Sequence, residues 1–245
     1  MEKITKILFF ITFLVYAKDV NSKSPPPGTG TSDIPANIMI MLDNSGSMNW
    51  ALSSSSTSSL EYPIDVAVDS SGNIYALEYF RCRVVKYNSS GTFIRAFGSC
   101  GEGDNQFQTP YQITISGSEI FIANSGSDKI DVKDLDGNFK RRLSLGSSTS
   151  PNTRGIAVSG NYLYTNSNNQ LRVYNKNASG AASALQIYNL ATNVCAYPVG
   201  LDVSNDGTKL LVSCVDSYAG GQQLLVYALS GGTVTGAYTS VASTG

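Results

Sequence analysis

The chain has 245 residues, of which 42% are hydrophobic and 14% are charged, and its formal net charge is −1. This charge balance does not favour nucleic acid or an anionic membrane surface as a partner. The sequence contains no histidine, which excludes histidine acid–base catalysis, Ser-His-Asp and Cys-His nucleophilic sites, and zinc sites that need imidazole. Low charge together with abundant Gly, Ser, Thr, Asn and Tyr is typical of an extracellular β-protein rich in turns.

Residues 1–17 predict a secretory signal peptide. Lys3 and Lys6 form a positive first region, an apolar run follows from Ile7, and Val15 and Ala17 fit a cleavage site after Ala17. This run is too short for a stable membrane span. Residues 18–37 then form a polar linker rich in Pro and Gly. We therefore expect a secreted, periplasmic or cell-surface protein without stable membrane insertion after cleavage.

Residues 38–61 combine an apolar run with a candidate metal motif and a Ser-rich linker. The run Ile38–Leu42 leads into "DNSGSM", in which Asp43, Ser45 and Ser47 offer one carboxylate and two hydroxyls. The stretch resembles the first strand and metal-ion-dependent adhesion motif of von Willebrand A domains. The remaining ligands that this resemblance implies are absent here, and Mg²⁺ or Ca²⁺ needs six or more oxygens. We therefore expect no cofactor unless a segment outside this sequence completes the site.

Residues 62–245 contain a repeat of about 40–50 residues, a period typical of one propeller blade. Pro63, Pro110, Pro151 and Pro198 open four similar units. In each unit short runs with alternating apolar residues are separated by Gly, Asn, Asp and Ser, a pattern that predicts four antiparallel strands. We thus predict an all-β propeller of four-stranded blades at about 62–109, 110–150, 151–197 and 198–245. Two possibilities stay open, a compact four-bladed propeller and a piece of a larger one.

The first unit, "YPIDVAVDSSGNIYALEYFRCRVVKYNSSGTFIRAFGSCGEGDNQFQTPYQITI", resembles NHL repeats over nearly its whole length. The second unit matches well, and the last two match in register alone. One departure is that the turn before the third strand reads Phe80, Arg81, Cys82, where the family commonly has histidine. The resemblance implies a β-propeller, commonly of six blades.

The four cysteines are typical of disulfides in an exported chain. In the repeat register, Cys82 starts the third strand of the first unit and Cys100 ends the fourth, which is its antiparallel neighbour. Cys195 lies just before the fourth unit, and Cys214 ends the second strand of that unit. We therefore predict the pairs Cys82–Cys100 and Cys195–Cys214.

The composition of the loops that join strands and blades is the best indication of function in this sequence. They mix aromatic, Asn, Ser and Gly residues, a composition that suits adaptable binding of proteins or glycans. We expect a non-catalytic binding or adhesion module with a protein or glycan partner and no nucleic-acid partner. The candidate binding residues are Tyr79, Phe80, Arg81, Asp104, Asn105, Asp128, Asn168, Asp216 and Tyr218.

Three alternatives remain open. A calcium-dependent hydrolase or lactonase would need carboxylates gathered at one mouth of the propeller channel. The carboxylates on or after first strands are Asp65, Asp69, Asp202 and Asp206, which we interpret first as acceptors of turn hydrogen bonds. The adhesion motif also fits a fragment of a larger adhesin, similar to pilus-tip proteins that combine a metal-binding domain with a propeller. The third possibility is a non-functional gene fragment.

Overall fold

The computed structural model describes residues 59–145, 152–190, 195, 197–215 and 222–241. These residues form four antiparallel sheets of four strands, and the strands of each sheet follow chain order. The sheets are the blades of a β-propeller, which confirms the predicted fold. The signal peptide, the linker and the motif residues Asp43, Ser45 and Ser47 lie outside the described residues. No helix in the described part of the chain is long and apolar enough to cross a bilayer.

Blades 1 and 2 begin at the predicted prolines. Blade 1 contains β1 (Pro63–Val68), β2 (Ile74–Glu78), β3 (Arg83–Tyr87) and β4 (Phe93–Phe97). The connection to blade 2 contains the short parallel pair β5 (Ser99–Cys100) and β6 (Gln106–Phe107). Blade 2 contains β7 (Pro110–Ser116), β8 (Glu119–Asn124), a 3-10 helix at Ser125–Ser127, β9 (Lys129–Asp134) and β10 (Phe139–Ser144).

Blades 3 and 4 repeat the same order of strands. Blade 3 contains β11 (Ile156–Ser159), β12 (Tyr162–Ser167), β13 (Gln170–Asn175) and β14 (Gln186–Asn189). Blade 4 contains β15 (Tyr197–Val203), β16 (Lys209–Val215), β17 (Gln222–Ser230) and β18 (Thr233–Val241).

Side chains of Asp and Asn close the hairpin turns. In the β1–β2 turn, Asp69 Oδ1 accepts hydrogen bonds from the backbone N–H groups of Ser71 and Asn73, both at 2.9 Å. Asp134 does the same in the β9–β10 turn, "DLDGN", where Gly137 has φ +88°. Such local bonds fix the turn, and a positive φ is free of strain only for glycine. Asp69 thus has the turn role expected from the sequence.

Apolar side chains from consecutive blades pack against each other. Because successive side chains of a strand point to opposite faces, every second residue of a central strand packs on the same side of its blade. In β2 the apolar residues on one such side are Tyr75 and Leu77, both 0% exposed. Among the described residues, separate apolar clusters join blade 1 to 2, blade 2 to 3 and blade 3 to 4. Each blade therefore depends on its neighbour to cover an apolar face.

Both predicted disulfides are present. The Cα atoms of Cys82 and Cys100 are 4.9 Å apart, and those of Cys195 and Cys214 are 5.4 Å apart. The pairs are separated by 18 and 19 residues in sequence. Loops of this size contribute about 3 kcal/mol each to stability in the chain-entropy account.

Candidate functional site

The first strand of a blade begins at the same end as the loop between its second and third strands. Antiparallel pairing sets this geometry: Pro63 pairs with Glu78, Pro110 with Asn124, and Tyr197 with Val215. We call this end of the blades the loop face. The predicted binding residues Tyr79, Phe80, Arg81, Asp128 and Asn168 all belong to second-to-third-strand loops on this face.

Four aromatic side chains form a continuous row on the loop face, from the start of blade 1 to the start of blade 2. The ring centroids of Tyr62 and Phe80 are 4.7 Å apart, those of Phe80 and Tyr79 are 5.1 Å apart, and those of Tyr79 and Tyr111 are 5.9 Å apart. Phe80 is 61% exposed and Tyr62 is 44% exposed. We call these four residues the aromatic row.

Arg154, at the start of blade 3, extends the row. Its guanidinium carbon lies 5.0 Å from the ring centroid of Tyr111, within the range of a cation–π contact. Tyr62, Tyr111 and Arg154 were not among the binding residues predicted from the sequence. A signal was present, because Tyr62 and Tyr111 flank the repeat prolines, which lie at the same end as the selected loops.

An ion pair, a backbone hydrogen bond and a disulfide connect the segments that carry the row. The Arg81 guanidinium pairs with Glu61 at 2.5 Å, and Tyr79 N–H donates to the Tyr62 carbonyl at 3.3 Å. The Cys82–Cys100 disulfide anchors the same loop. Tyr62 and Cys82 have φ values of +52° and +48°, which is unusual for residues other than glycine. Rigid aromatic side chains lose little entropy when a ligand binds.

The loop that carries Asp104 and Asn105 lies against blade 2. Lys133, 0% exposed, donates from Nζ to the Asp104 carbonyl at 2.8 Å and to Asn105 Oδ1 at 3.2 Å. Its Nζ also lies 5.4 Å from the Phe107 ring centroid. Burial lowers the pKa of Lys133. The structure thus gives this loop a packing contact, and its binding role stays a prediction.

Asp128 lies in a buried polar group between blades 2 and 3. It is 5% exposed, and its carboxylate accepts hydrogen bonds from the hydroxyls of Thr153 and Ser167. Asp128 and Asn168 both have φ +52°, a conformation that Asp and Asn tolerate better than most residues. Asp128 therefore joins two blades, and its role in ligand binding stays a prediction. Asp216 and Tyr218 lie outside the described residues.

A second candidate site lies where the first strands of all four blades meet. A cavity of about 330 Å³ is lined there by Asp65, Gln112, Thr114, Ile156, Leu201 and Asp202, among others. Asp65 Oδ2 accepts the Ile113 N–H at 2.8 Å, so Asp65 joins blade 1 to blade 2 and is not the turn acceptor that we expected. Burial raises the pKa of Asp65 to about 6, the charge of Asp202 acts in the same direction, and the backbone hydrogen bonds oppose both.

Gln112 connects three blades beside this cavity. Its Oε1 accepts hydrogen bonds from the N–H groups of Ile156 at 2.8 Å and Leu201 at 3.1 Å. Its Nε2 donates to the Leu201 carbonyl at 2.9 Å. Asp65 and Gln112 occupy corresponding positions, two residues after the opening prolines Pro63 and Pro110. A polar side chain at this position thus caps a backbone N–H of the following blade.

The carboxylates of the described residues do not gather into a metal site. No group of three or more His, Cys, Asp or Glu side chains is placed there to hold a metal ion. Asp202 Oδ1 accepts the N–H of Val203 at 2.8 Å, and Asp206 Oδ1 accepts the N–H of Thr208 at 3.0 Å within a turn. Asp206 thus has the expected turn role, whereas Asp202 lies within β15 and is not the turn acceptor that we expected.

The fold is similar to several solved structures. Hydrazine synthase from Kuenenia stuttgartiensis matches with a TM-score of 0.57 and 13% identity over 78% of this chain and 52% of that chain. A putative 6-phosphogluconolactonase from Bacteroides uniformis has a TM-score of 0.55 and 13% identity over 73% of this chain and 57% of that chain. A streptogramin B lyase has a TM-score of 0.50 and 12% identity over 76% and 70% of the two chains.

At these identities the likeness concerns the fold alone. The chain spans about half of the hydrazine synthase chain and 57% of the putative lactonase chain. No protein-family model matches the sequence, and no curated protein matches it.

Proposed function

We propose that the protein is an exported binding module that uses the aromatic row on its loop face to bind a glycan or protein ligand. The exposure of Phe80 and Tyr62, 61% and 44%, is the observation that carries this proposal. Exposed aromatic side chains in mutual contact concentrate at binding surfaces, where they supply large contact areas. The adjoining ion pair between Glu61 and Arg81 adds a polar margin to the apolar surface.

Export rests on two independent features. Residues 1–17 have the composition of a signal peptide, and the disulfides Cys82–Cys100 and Cys195–Cys214 are typical of oxidising compartments. We therefore propose a secreted, periplasmic or cell-surface location.

We also propose that the blades are related to NHL repeats and that the chain descends from an adhesion protein. The quoted first unit supports an NHL-like origin of the blades, and Asp43, Ser45 and Ser47 support descent from an adhesion protein. Adhesion by a larger protein that completes the metal motif with further ligands is compatible with both.

A double variant tests the binding role. Phe80→Ala with Tyr62→Ala removes the exposed rings, and Ile94→Ala removes a 45% exposed apolar side chain from β4 as the matched control. The probes are an immobilised oligosaccharide array and a displayed random-peptide library. We expect the unaltered protein and Ile94→Ala to bind the same probe, with at least about tenfold weaker binding by the double variant, since hot-spot aromatics carry 2 kcal/mol or more. Absence of binding, or equal loss in both variants, would refute the proposal.

The cavity between the first strands supports a second candidate function, acid–base catalysis. Asp65 combines a pKa of about 6 with the nearby charge of Asp202, and carboxyls shifted towards neutrality act as general acids or bases. Hydrolysis of a simple lactone, with and without Ca²⁺, tests this function. Catalysis at this site requires activity in the unaltered protein and its loss in Asp65→Asn; activity that persists in the variant would rule Asp65 out.

A further inference from the structure

Arg154 is a half-buried arginine whose guanidinium has no hydrogen-bond acceptor within the described part of the chain. Its Nε is buried and unpaired, and its contact there is the ring of Tyr111. A guanidinium has five N–H donors, and leaving such donors unpaired away from water is costly. The Arg154 guanidinium therefore has no acceptor among the described residues, which makes it a candidate to bind an acceptor group of a ligand.

A buried, unpaired Nε is not special to Arg154, because the Nε atoms of Arg141 and Arg172 are also unpaired. Each of the other half-buried arginines in the described residues nevertheless has at least one acceptor for its guanidinium. Arg83 pairs with Glu78, Arg141 with Glu119 and Arg142 with Asp131. Arg172 donates to the Leu145 carbonyl at 2.5 Å and to Gln170 Oε1 at 3.0 Å. Of these five half-buried arginines, Arg154 is the one without an acceptor among the described residues.

The surroundings of Arg154 narrow the chemistry of the ligand. Arg154 continues the aromatic row, and the hydroxyls of Tyr62, Tyr79 and Tyr111 make no hydrogen bond within the described residues. A ligand that covers this surface needs flat apolar faces for the rings, hydroxyls for the phenols and an anionic group for the guanidinium. Arg binds planar carboxylates with two parallel hydrogen bonds.

We propose that the loop face binds an acidic carbohydrate, with sugar rings over the aromatic row and a carboxylate on Arg154. This inference rests on the binding function proposed above and names its ligand class. An oligosaccharide of uronic or sialic acid supplies all three features together: ring faces, hydroxyls and a carboxylate. Arg154 is the specificity-determining residue, because it distinguishes the acid from a neutral sugar of the same shape.

The experiment compares each acid with its own methyl ester. Oligosaccharides of galacturonic, glucuronic and sialic acid, and the corresponding methyl esters, are titrated against the full chain by calorimetry. We expect at least one acid to bind about 10- to 100-fold more tightly than its ester, the range for a charge-assisted bidentate contact. Arg154→Gln should abolish this preference, and Arg154→Lys should retain part of it, since lysine keeps the charge and loses the fork.

The variants separate this inference from the wider binding proposal. Arg154 makes no hydrogen bond in the described structure, but its guanidinium contacts the Tyr111 ring. Both substitutions should therefore lower the thermal midpoint by no more than about 4 °C. Phe80→Ala with Tyr62→Ala should weaken acid and ester equally. If the acid preference survives in Arg154→Gln while the double variant binds weakly, the role of Arg154 is refuted and the aromatic site stands. Failure of every acid to bind, with capture of acidic peptides instead, would overturn the carbohydrate assignment.

Discussion

The hydrogen bonds of Gln112 should make a large contribution to propeller stability. Gln112→Leu keeps a side chain of similar size and removes the bonds to Ile156 N–H, Leu201 N–H and the Leu201 carbonyl. Ile156 and Leu201 are 1% and 3% exposed, so water can replace these bonds poorly. At about 1 kcal/mol for each neutral hydrogen bond, the free energy of unfolding should fall by about 3 kcal/mol. That is a large share of the 5–15 kcal/mol typical of a domain.

Urea unfolding followed by far-UV circular dichroism measures this change, with the disulfides kept oxidised. Gln108→Leu is the matched control, because the half-buried Gln108 side chain makes no hydrogen bond within the described residues. The midpoint should fall in Gln112→Leu with the slope unchanged. A loss below about 1 kcal/mol, or one equal to that of Gln108→Leu, would show that the reasoning is wrong.

Three further predictions concern stability. Cys195→Ala with Cys214→Ala should lower the free energy of unfolding by about 3 kcal/mol in urea titrations; an unchanged midpoint would contradict this. The folded-state pKa of Asp65 is raised from 3.8 to about 6, so the folded protein favours the protonated carboxyl. The stability that this protonated group contributes is fully present below pH 3.8 and is lost as the pH rises through 6. Asp65→Asn should therefore gain stability, by at most about 3 kcal/mol, relative to the unaltered protein between pH 4 and 7. The Arg141 hydrogen bond lowers the pKa of Glu119 from 4.5 to about 2. The stability that ionised Glu119 contributes is therefore present above pH 4.5 and is lost as the pH falls towards 2. Glu119→Gln should flatten that acid dependence, and parallel curves for both proteins would refute the assignment.

The pattern of the sequence was sufficient for the fold because the repeat is local. Alternating apolar residues and turn signals recur in each unit, and Asp69 and Asp134 close their turns with bonds to residues two and four positions away. The same register brought each cysteine pair together, since neighbouring antiparallel strands place the start of one beside the end of the next. Both disulfides are therefore present as predicted.

The site depended on contacts between loops and strands that a local pattern does not specify. Two of these contacts, Tyr79 with Tyr111 and Tyr111 with Arg154, join different units. The sequence selected Tyr79, Phe80 and Arg81 from the composition of their loop. It missed Tyr62 and Tyr111, because their rings meet that loop only after the strands have paired. It also assigned Asp65 to a turn, although its carboxylate caps Ile113 in the next blade.

What the sequence determined by itself was the blade, its turns and its crosslinks, since these depend on residues within one unit. The tertiary structure decided which side chains from different blades lie together. It placed Arg154 of blade 3 on Tyr111 of blade 2 and left the guanidinium without an acceptor in the described chain. It also enclosed Asp65 and Gln112 beside a common cavity. Both candidate sites arise between blades, because packing of the blades creates surfaces and burial that one unit lacks.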